Sequence, residues 1–158
     1  MDDKYANAMS GLEKALPHRR PIIMLSEELP EESPGVARAR IDTSPRSMFF
    51  DAGLDGVPSC AALEFMAQTM ALAVGRDRGR RGLDPAVGFV LGTRRMEVPA
   101  EGFLRRKRYV SRAECTYTDG EFASFDCSIS EEGGPVVATA VLTAYQPSDL
   151  GEMEKAML

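Results

Sequence analysis

The sequence is poor in the residues that build metal centres and disulfide frameworks. Its 158 residues include no tryptophan, one histidine, His18, and three cysteines, Cys60, Cys115 and Cys127. One imidazole excludes zinc and non-haem iron sites built on two or three, and the cysteines form no Cys-x-x-Cys pair. We therefore expect no metal ion and no disulfide, with the cysteines as small core residues in a reducing compartment.

A leader segment and a long apolar run are also missing. The acidic first ten residues lack the basic region and apolar stretch of a signal peptide. The most apolar stretch, residues 60–74, is interrupted by Glu64, Gln68 and Thr69 and is shorter than the roughly 20 residues of a membrane span. We expect a soluble, cytoplasmic protein of one domain, residues 1–158, with its core at about 16–146.

Charge is unevenly distributed along the chain. The formal net charge is −5, but residues 76–108 carry ten basic side chains against four acidic ones, a local charge of +6. This asymmetry indicates a basic face for an anionic partner, with a solvated charged surface as the alternative. Nucleic acid is not expected, because the whole chain is acidic and no aromatic-interleaved basic motif accompanies the basic segment.

Hydrophobic spacing predicts the elements of the N-terminal part. Apolar residues at helical spacing indicate a short helix over residues 5–15, and two prolines make residues 16–21 irregular. An apolar run predicts a strand over 22–25, and alternation of apolar and polar residues predicts another over 36–42.

The middle of the chain is predicted to be one long, apolar helix. A loop over 44–57 leads to Pro58, a favoured first helical residue. The helix runs to about Val74, and Gly75 is a suitable end. A polar connection over 76–85 follows.

The C-terminal part alternates in the manner of an antiparallel sheet. Turn residues at 118–120 and 132–135 indicate two hairpins. The predicted strands cover residues 87–95, 106–116, 121–130 and 135–145. A strongly curved antiparallel sheet wrapped around a helix that is apolar nearly all round is an α+β arrangement, specifically the hot-dog fold.

The central helix carries one ionisable side chain in its middle. Glu64 lies one turn before Gln68, so both occupy the same helix face. A carboxylate on a buried helix is costly unless it is paired or functional. Two interpretations remain open: Glu64 is an acid–base residue, or Glu64 and Gln68 form a structural polar pair that faces a partner subunit.

Two further features accompany this carboxylate. The N–H groups of Ser59 and Cys60 at the helix start can polarise a carbonyl group, and Glu64 follows about 8–9 Å along the axis. His18, between prolines, is either a structural residue or a second acid–base group. No Gly-x-Ser-x-Gly elbow, P-loop or dinucleotide motif is present, so no cofactor is predicted.

Three segments match a known family in order and nearly in spacing. Residues 16–21 are Leu-Pro-His-Arg-Arg-Pro, residues 58–68 are Pro-Ser-Cys-Ala-Ala-Leu-Glu-Phe-Met-Ala-Gln, and Phe-Val-Leu-Gly at 89–92 precedes Pro99. They resemble, respectively, the Leu-Pro-His-Arg-x-Pro, Pro-Gly-(Val/Cys)-x-x-x-(Glu/Asp)-x-Met-x-Gln and Phe-x-x-Gly…Pro segments of the β-hydroxyacyl-(acyl carrier protein) dehydratases. The resemblance covers about residues 16–145 and implies a hot-dog fold.

The resemblance assigns roles to several residues. Glu64 matches the family's catalytic carboxylate, and Ser59 the glycine whose N–H polarises the thioester carbonyl. The catalytic histidine of the family falls at Phe50, so the usual base is absent. In this respect the chain resembles the dehydratase-like proteins of aryl polyene clusters. Glu64 then serves as acid and base in turn, or shares the work with His18, Asp51 or Asp55.

The implied function is dehydration of a 3-hydroxyacyl-(acyl carrier protein), by this chain or by a complex that contains it, in fatty acid or polyene synthesis. The alternatives are an acyl thioesterase and a non-catalytic acyl-binding subunit. Substrate, linked to carrier protein or coenzyme A, is expected to contact Ser59, Cys60, Gln68 and Phe50, with its acyl chain passing Phe65 and Met66.

The partners expected from the resemblance follow the same pattern. The resemblance implies a homodimer or a heterodimer with another hot-dog subunit, with active sites at the subunit interface. An acidic carrier protein is expected to dock on the basic residues at 76–81 and 105–108. No membrane partner is expected.

Overall fold

The computed structural model describes residues 11–148. Residues 11–15 are helical, and residues 16–24 form neither helix nor strand. The central helix, Ala62–Arg80, follows a 3-10 turn at Ser59–Ala61. The strands, numbered in chain order, are β1 (Leu25–Glu28), β2 (Val36–Ile41), β3 (Gly56–Val57), β4 (Phe89–Glu97), β5 (Phe103–Leu104), β6 (Tyr109–Asp119), β7 (Phe122–Glu131) and β8 (Val136–Tyr145).

Six of these strands form one antiparallel sheet in the order β1-β2-β6-β7-β8-β4. β3 and β5 form a separate two-stranded ribbon. The central helix packs against β1, β2, β6, β7 and β8. The predicted α+β architecture, a long helix against a large antiparallel sheet in the hot-dog arrangement, is confirmed.

Alanine side chains on the sheet make room for this helix. The helix brings the fully buried side chains of Phe65, Met66 and Leu72 into the core. Small side chains on the strands allow the backbones of helix and sheet to approach closely. The almost fully buried strand alanines are Ala37, Ala39, Ala113, Ala138 and Ala140.

The first strand begins three residues later than predicted. Residues 22–24 belong to the apolar run, but side chains bind several of their backbone polar groups, and their one backbone contact beside the sheet is the carbonyl of Met24, which accepts the N–H of Asp42 at 2.8 Å. The Gln68 amide binds the N–H of Met24 and the carbonyl of Ile22, at 2.8 and 2.9 Å. Arg20 donates to the carbonyl of Ile23 at 3.2 Å. The prediction of a strand over 22–25 is therefore wrong except for its last residue.

The predicted helix end at Gly75 is also wrong, since the helix continues to Arg80. Gly75 instead allows the backbone of the helix to come close to the backbone of the N-terminal segment. A Cβ atom there would lie 1.8 Å from the carbonyl oxygen of Ala15, in the N-terminal helical segment. That segment was predicted over 5–15, of which residues 5–10 lie outside the described part. The connection at 76–85 is accordingly shorter than predicted.

The last two residues of the loop predicted over 44–57 form a short strand that the sequence pattern did not indicate. This strand is β3, and a Cβ on Gly56 would lie 2.3 Å from the carbonyl oxygen of Phe103 in β5. Two residues are too few for a periodic signal. The four C-terminal strands are present, and each begins one to three residues later than predicted.

The three cysteines are free and occupy three environments. Cys127 is buried in the core, and burial raises the pKa of its thiol to about 12. Cys115 is half-buried. Cys60 is exposed, so the prediction that all three cysteines are core residues is wrong for Cys60.

No helix within residues 11–148 is long and apolar enough to cross a membrane.

The two glycines in the C-terminal half of the central helix allow a matched test of this packing. We expect Gly75→Ala to lower the free energy of unfolding by about 1–3 kcal/mol, because the new Cβ meets the backbone of Ala15. Gly79→Ala, whose Cβ meets nothing within 4 Å, is expected to raise it by about 0.5–1 kcal/mol. Urea denaturation measures both, and equal stability of the two variants contradicts the contact.

Candidate functional site

A groove of about 840 Å³ runs along one face of the central helix. The helix residues in its wall include Glu64, Ala67, Ala71 and Val74, which follow helical spacing. Ten residues of helix span about 15 Å at 1.5 Å per residue, so the groove is long enough for an extended chain. The small alanine side chains leave its helix wall nearly flat.

The sheet contributes four aromatic residues to the lining of the groove, Phe89, Phe122, Phe125 and Tyr145. Phe122 and Tyr145 face each other across β7 and β8, with ring centroids 5.1 Å apart. The sequence prediction missed this pair. The turn at 132–135 indicates the hairpin but not this pair, because the pairing of Ser130 with Val136 beside the turn would place Phe122 opposite Ala144. A register shift between Ile129 and Ser130 moves the partner of Phe122 to Tyr145.

Glu64 lies in the first turn of the central helix, half-buried, and lines the groove. Its Oε1 accepts a hydrogen bond of 2.8 Å from Nε2 of Gln68. Its Oε2 has no hydrogen-bond partner among residues 11–148. One carboxylate oxygen is thus held by the protein, and the other can accept a proton from a bound molecule.

Gln68 does not line the groove, in contrast to its predicted contact with substrate. It is fully buried, and its amide makes three hydrogen bonds within the protein, to Met24, Ile22 and Glu64. Both amide hydrogens are used, so none is left for a ligand.

The predicted path of the acyl chain past Phe65 and Met66 also needs correction. Both side chains are fully buried in the core between helix and sheet. The groove passes the adjacent helix face, at Ala67 and Ala71. Residues 65 and 67 differ by about 200° around a helix axis, which explains why neighbouring residues serve different roles.

His18 lines the same groove as Glu64. The irregular segment that carries it runs between the helical residues 11–15 and β1. The Nδ1 atom of His18 is buried and has no hydrogen-bond partner among the described residues. Two residues predicted for acid–base roles, 46 positions apart in the sequence, thus line one groove. In residues 11–148, no group of three His, Cys, Asp or Glu side chains forms a metal site.

Ser59 and Cys60 begin the 3-10 turn before the central helix. The Ser59 hydroxyl donates to the carbonyl of Pro99 and thereby anchors the turn, whereas Cys60 is exposed. The N–H groups of Ala61 and Ala62 are bound within the turn. Those of Ser59 and Cys60 have no partner among residues 11–148, as helix geometry predicts. Neither residue lines the groove that Glu64 lines.

Asp51 and Phe50 also lie away from this groove. The Asp51 side chain accepts the N–H of Leu54 at 2.9 Å, and its backbone pairs with Gly56, so it stabilises a turn. Asp55 binds Arg105 at 2.7 Å. That hydrogen bond holds the pKa of Asp55 below its usual range, which makes Asp55 a poor proton donor at neutral pH. Within one chain, the groove therefore combines Glu64 with His18 and with neither aspartate.

The basic segment at 76–108 is partly neutralised by the rest of the chain. Five of its ten basic side chains form salt bridges in the described part: Arg76 with Glu28, Arg80 with Glu31, Arg81 with Asp77, Arg105 with Asp55, and Lys107 with Glu131. Arg78 binds the carbonyl of Asp84. The exposed basic residues of the segment without a carboxylate partner among residues 11–148 include Arg94, Arg95, Arg106 and Arg108.

Several solved structures resemble this chain. The dehydratase heterocomplex ApeI:P from Xenorhabdus doucetiae matches with 26% identity and a TM-score of 0.82, over 92% of this chain and 96% of that one. A hypothetical thioesterase with coenzyme A from Streptococcus pneumoniae TIGR4 matches with 15% identity and a TM-score of 0.61, over 89% and 97%. At this identity the second match shows the shared fold alone. No curated protein matches the sequence significantly.

The family comparison covers nearly the whole chain. The model of the ApeP-like family, described as ApeP dehydratase, matches residues 10–155. The match extends from before the Leu-Pro-His segment to beyond β8, and it confirms the predicted class, a dehydratase or a subunit of a dehydratase complex. The chain therefore belongs to the ApeP-like dehydratase family.

Proposed function

We propose that this chain dehydrates 3-hydroxyacyl thioesters as one subunit of a pair of hot-dog chains, with Glu64 as its acid–base residue. The observation that carries the proposal is Glu64, held by Gln68 at one end of a groove long enough for an acyl chain. Membership of the ApeP-like dehydratase family supports the reaction class. The similar ApeI:P heterocomplex supports a second subunit.

The reaction needs a base and an acid but no oxidant or metal. A base removes the proton at C2, the electron pair of that bond forms the C2–C3 double bond, and the C3–O bond breaks. The hydroxyl group leaves as water after it takes a proton from an acid. The products are a 2-enoyl thioester and water. The Glu64 carboxylate accepts the C2 proton at Oε2, the oxygen that Gln68 does not bind.

His18 is the second proton carrier in this proposal. It lines the same groove as Glu64, whereas Asp51 and Asp55 do not. Asp51 is engaged in a turn and Asp55 in an ion pair. An imidazole is suited to proton transfer near neutral pH. The thioester in the groove then lies between a carboxylate on the helix and an imidazole on the Leu-Pro-His segment.

The polarising N–H groups of Ser59 and Cys60 belong to a site that two chains complete. They do not line the groove of their own chain's Glu64. The family resemblance implies active sites at subunit interfaces, so the amides of one subunit serve the carboxylate of the other. Free N–H groups at the start of the helix are suited to this role, because they bind the charge that develops on a thioester oxygen.

The edge strand β4 is the surface proposed for the partner subunit. Within residues 11–148, β4 pairs with β8 on one side only, and nearly all of its side chains are exposed. Phe89, Val90 and Leu91 form an apolar run at its start, and Leu91 is 56% exposed. A free sheet edge with exposed apolar side chains favours pairing with another chain.

The catalytic assignment of Glu64 is tested with an isosteric variant. We expect Glu64→Gln to lower kcat by at least about 100-fold, because the amide keeps the volume but cannot accept the C2 proton. The measurement follows enoyl and 3-hydroxyacyl thioester interconversion together with free thiol, with and without the partner subunit. Asp77→Asn, a second groove carboxylate, is the control and is expected to retain activity.

The same assay separates the alternative functions. Thiol release without interconversion contradicts the dehydratase and favours a thioesterase. If neither interconversion nor thiol release is detected, even with the partner subunit present, the result favours a non-catalytic acyl-binding subunit. Full activity of Glu64→Gln overturns the role of the carboxylate.

The role of His18 is tested through the pH dependence of the rate. We expect His18→Ala to lower kcat by about 10- to 100-fold and to change the shape of the pH–rate profile, since a proton carrier is lost. Lys14→Ala, at an exposed position outside the groove, is expected to leave the profile unchanged. A wild-type profile for His18→Ala identifies the imidazole as structural.

The partner surface is tested by placing a charge on β4. We expect Leu91→Glu to weaken or abolish association in sedimentation velocity, because a buried, unpaired carboxylate opposes edge pairing. Tyr117→Glu is the matched control, since Tyr117 is 59% exposed but lies on β6, away from this edge. Unchanged association of Leu91→Glu contradicts β4 as the interface.

The form of the substrate is tested at two arginines that have no carboxylate partner in the described part of the chain. We expect the charge reversals Arg106→Glu and Arg108→Glu together to raise KM for an acyl group on carrier protein by about tenfold, because acidic carrier proteins bind basic surfaces. The KM for the corresponding coenzyme A thioester is expected to change less. Arg106→Lys with Arg108→Lys keeps the charge and serves as control. Equal changes for both substrates contradict carrier docking at these residues.

A further inference from the structure

The orientation of the Gln68 amide is determined by the backbone around it. Its Oε1 accepts the N–H of Met24 at 2.8 Å, and its Nε2 donates to the carbonyl of Ile22 at 2.9 Å. A rotated amide would face a donor with a donor and an acceptor with an acceptor, so only one orientation is compatible with these contacts. The second hydrogen of Nε2 is therefore directed by the backbone of residues 22–24.

That second hydrogen is donated to Glu64 Oε1 at 2.8 Å. Gln68 is fully buried, so water does not compete for the amide. Glu64 itself is half-buried, with its other oxygen unpartnered within residues 11–148. The bond from Gln68 consequently selects which oxygen of Glu64 remains available in the groove.

A purely structural link between the central helix and residues 22–24 would not need the hydrogen bond from Gln68 to Glu64. The next residue, Thr69, provides the comparison. Thr69 is also fully buried, and its hydroxyl joins the helix to the sheet by a hydrogen bond of 2.7 Å to Ser111. It contacts no carboxylate. Gln68 differs in that one side chain binds both Glu64 and the segment that follows His18.

We infer that Gln68 is a positioning residue for the reaction, which sets the Glu64 carboxylate and the segment bearing His18 in one fixed relation. This inference rests on the proposed role of Glu64 in dehydration. Gln68 does not touch substrate. It acts by holding one carboxylate oxygen and the backbone at Ile22 and Met24 together, so that the other oxygen and the imidazole line the same groove.

The test compares substitutions at two neighbouring buried residues. Each variant is assayed in complex with the partner subunit. We expect Gln68→Met, which keeps the length of the side chain and removes all three hydrogen bonds, to lower kcat by about 10- to 100-fold. KM is expected to change by less than about threefold, because the groove walls remain. Thr69→Val loses the bond to Ser111 and is expected to lower stability while kcat stays within about twofold.

Stability is matched before the rates are compared, by assaying each variant well below its own unfolding midpoint. A kcat loss in Gln68→Met no larger than that in Thr69→Val overturns the positioning role. A loss confined to KM overturns it as well, since it indicates a distorted groove.

A crystallographic measurement keeps this inference separate from the proposed reaction. If the wild-type protein converts no thioester, dehydration by this chain fails, and the positioning role is then judged from crystal structures. We expect the Glu64 carboxylate to leave its position in Gln68→Met and to keep it in Thr69→Val. An unmoved Glu64 in Gln68→Met overturns the inference whatever the assay shows.

Discussion

Burial of the mostly apolar part of the central helix, residues 62–75, against a single sheet is the constraint on which the rest of this structure depends. Small side chains on the sheet, such as those of Ala39 and Ala113, leave space for the helix. The absence of a side chain at Gly75 of the helix lets the N-terminal segment pack against it. Polar groups inside this core must be bonded within the protein. Gln68 and Thr69 satisfy that requirement, and the bonds of Gln68 reach the carboxylate.

The elements with strong patterns could be predicted from the sequence. The central helix, the alternation of β2 and the two C-terminal hairpins follow from local periodicity and turn residues. The errors arise where a tertiary contact decides. Gly75 looks like a helix end because glycine often is one, yet it lies within the helix, where Ala15 approaches. Residues 22–24 look like a strand, but the Gln68 side chain binds the carbonyl of Ile22 and the N–H of Met24.

In the candidate site, too, some features could be predicted from the sequence and others could not. Glu64 stands out in the sequence as a lone carboxylate on an apolar helix, and His18 as the only imidazole. Their shared groove could not be predicted, since it depends on how residues 16–24 cross the helix. The burial of Gln68 outside the groove could not be predicted either, because the burial of one polar residue in an apolar run cannot be read from the sequence. The basic segment could be recognised in the sequence, but the salt bridges of Arg76 and Arg80 could not, because their partners lie far away in the sequence.

The pairing of Phe122 with Tyr145 links the shape of the groove to a turn at the far end of the hairpin. Residues 132–135, together with the register shift between Ile129 and Ser130, set the register of β7 against β8, and in this register both paired residues line the groove. A slip of one residue would move Tyr145 to the opposite face of the sheet. Insertions or deletions in that turn are therefore a route by which related proteins can alter ligand preference, although residues 132–135 do not line the groove.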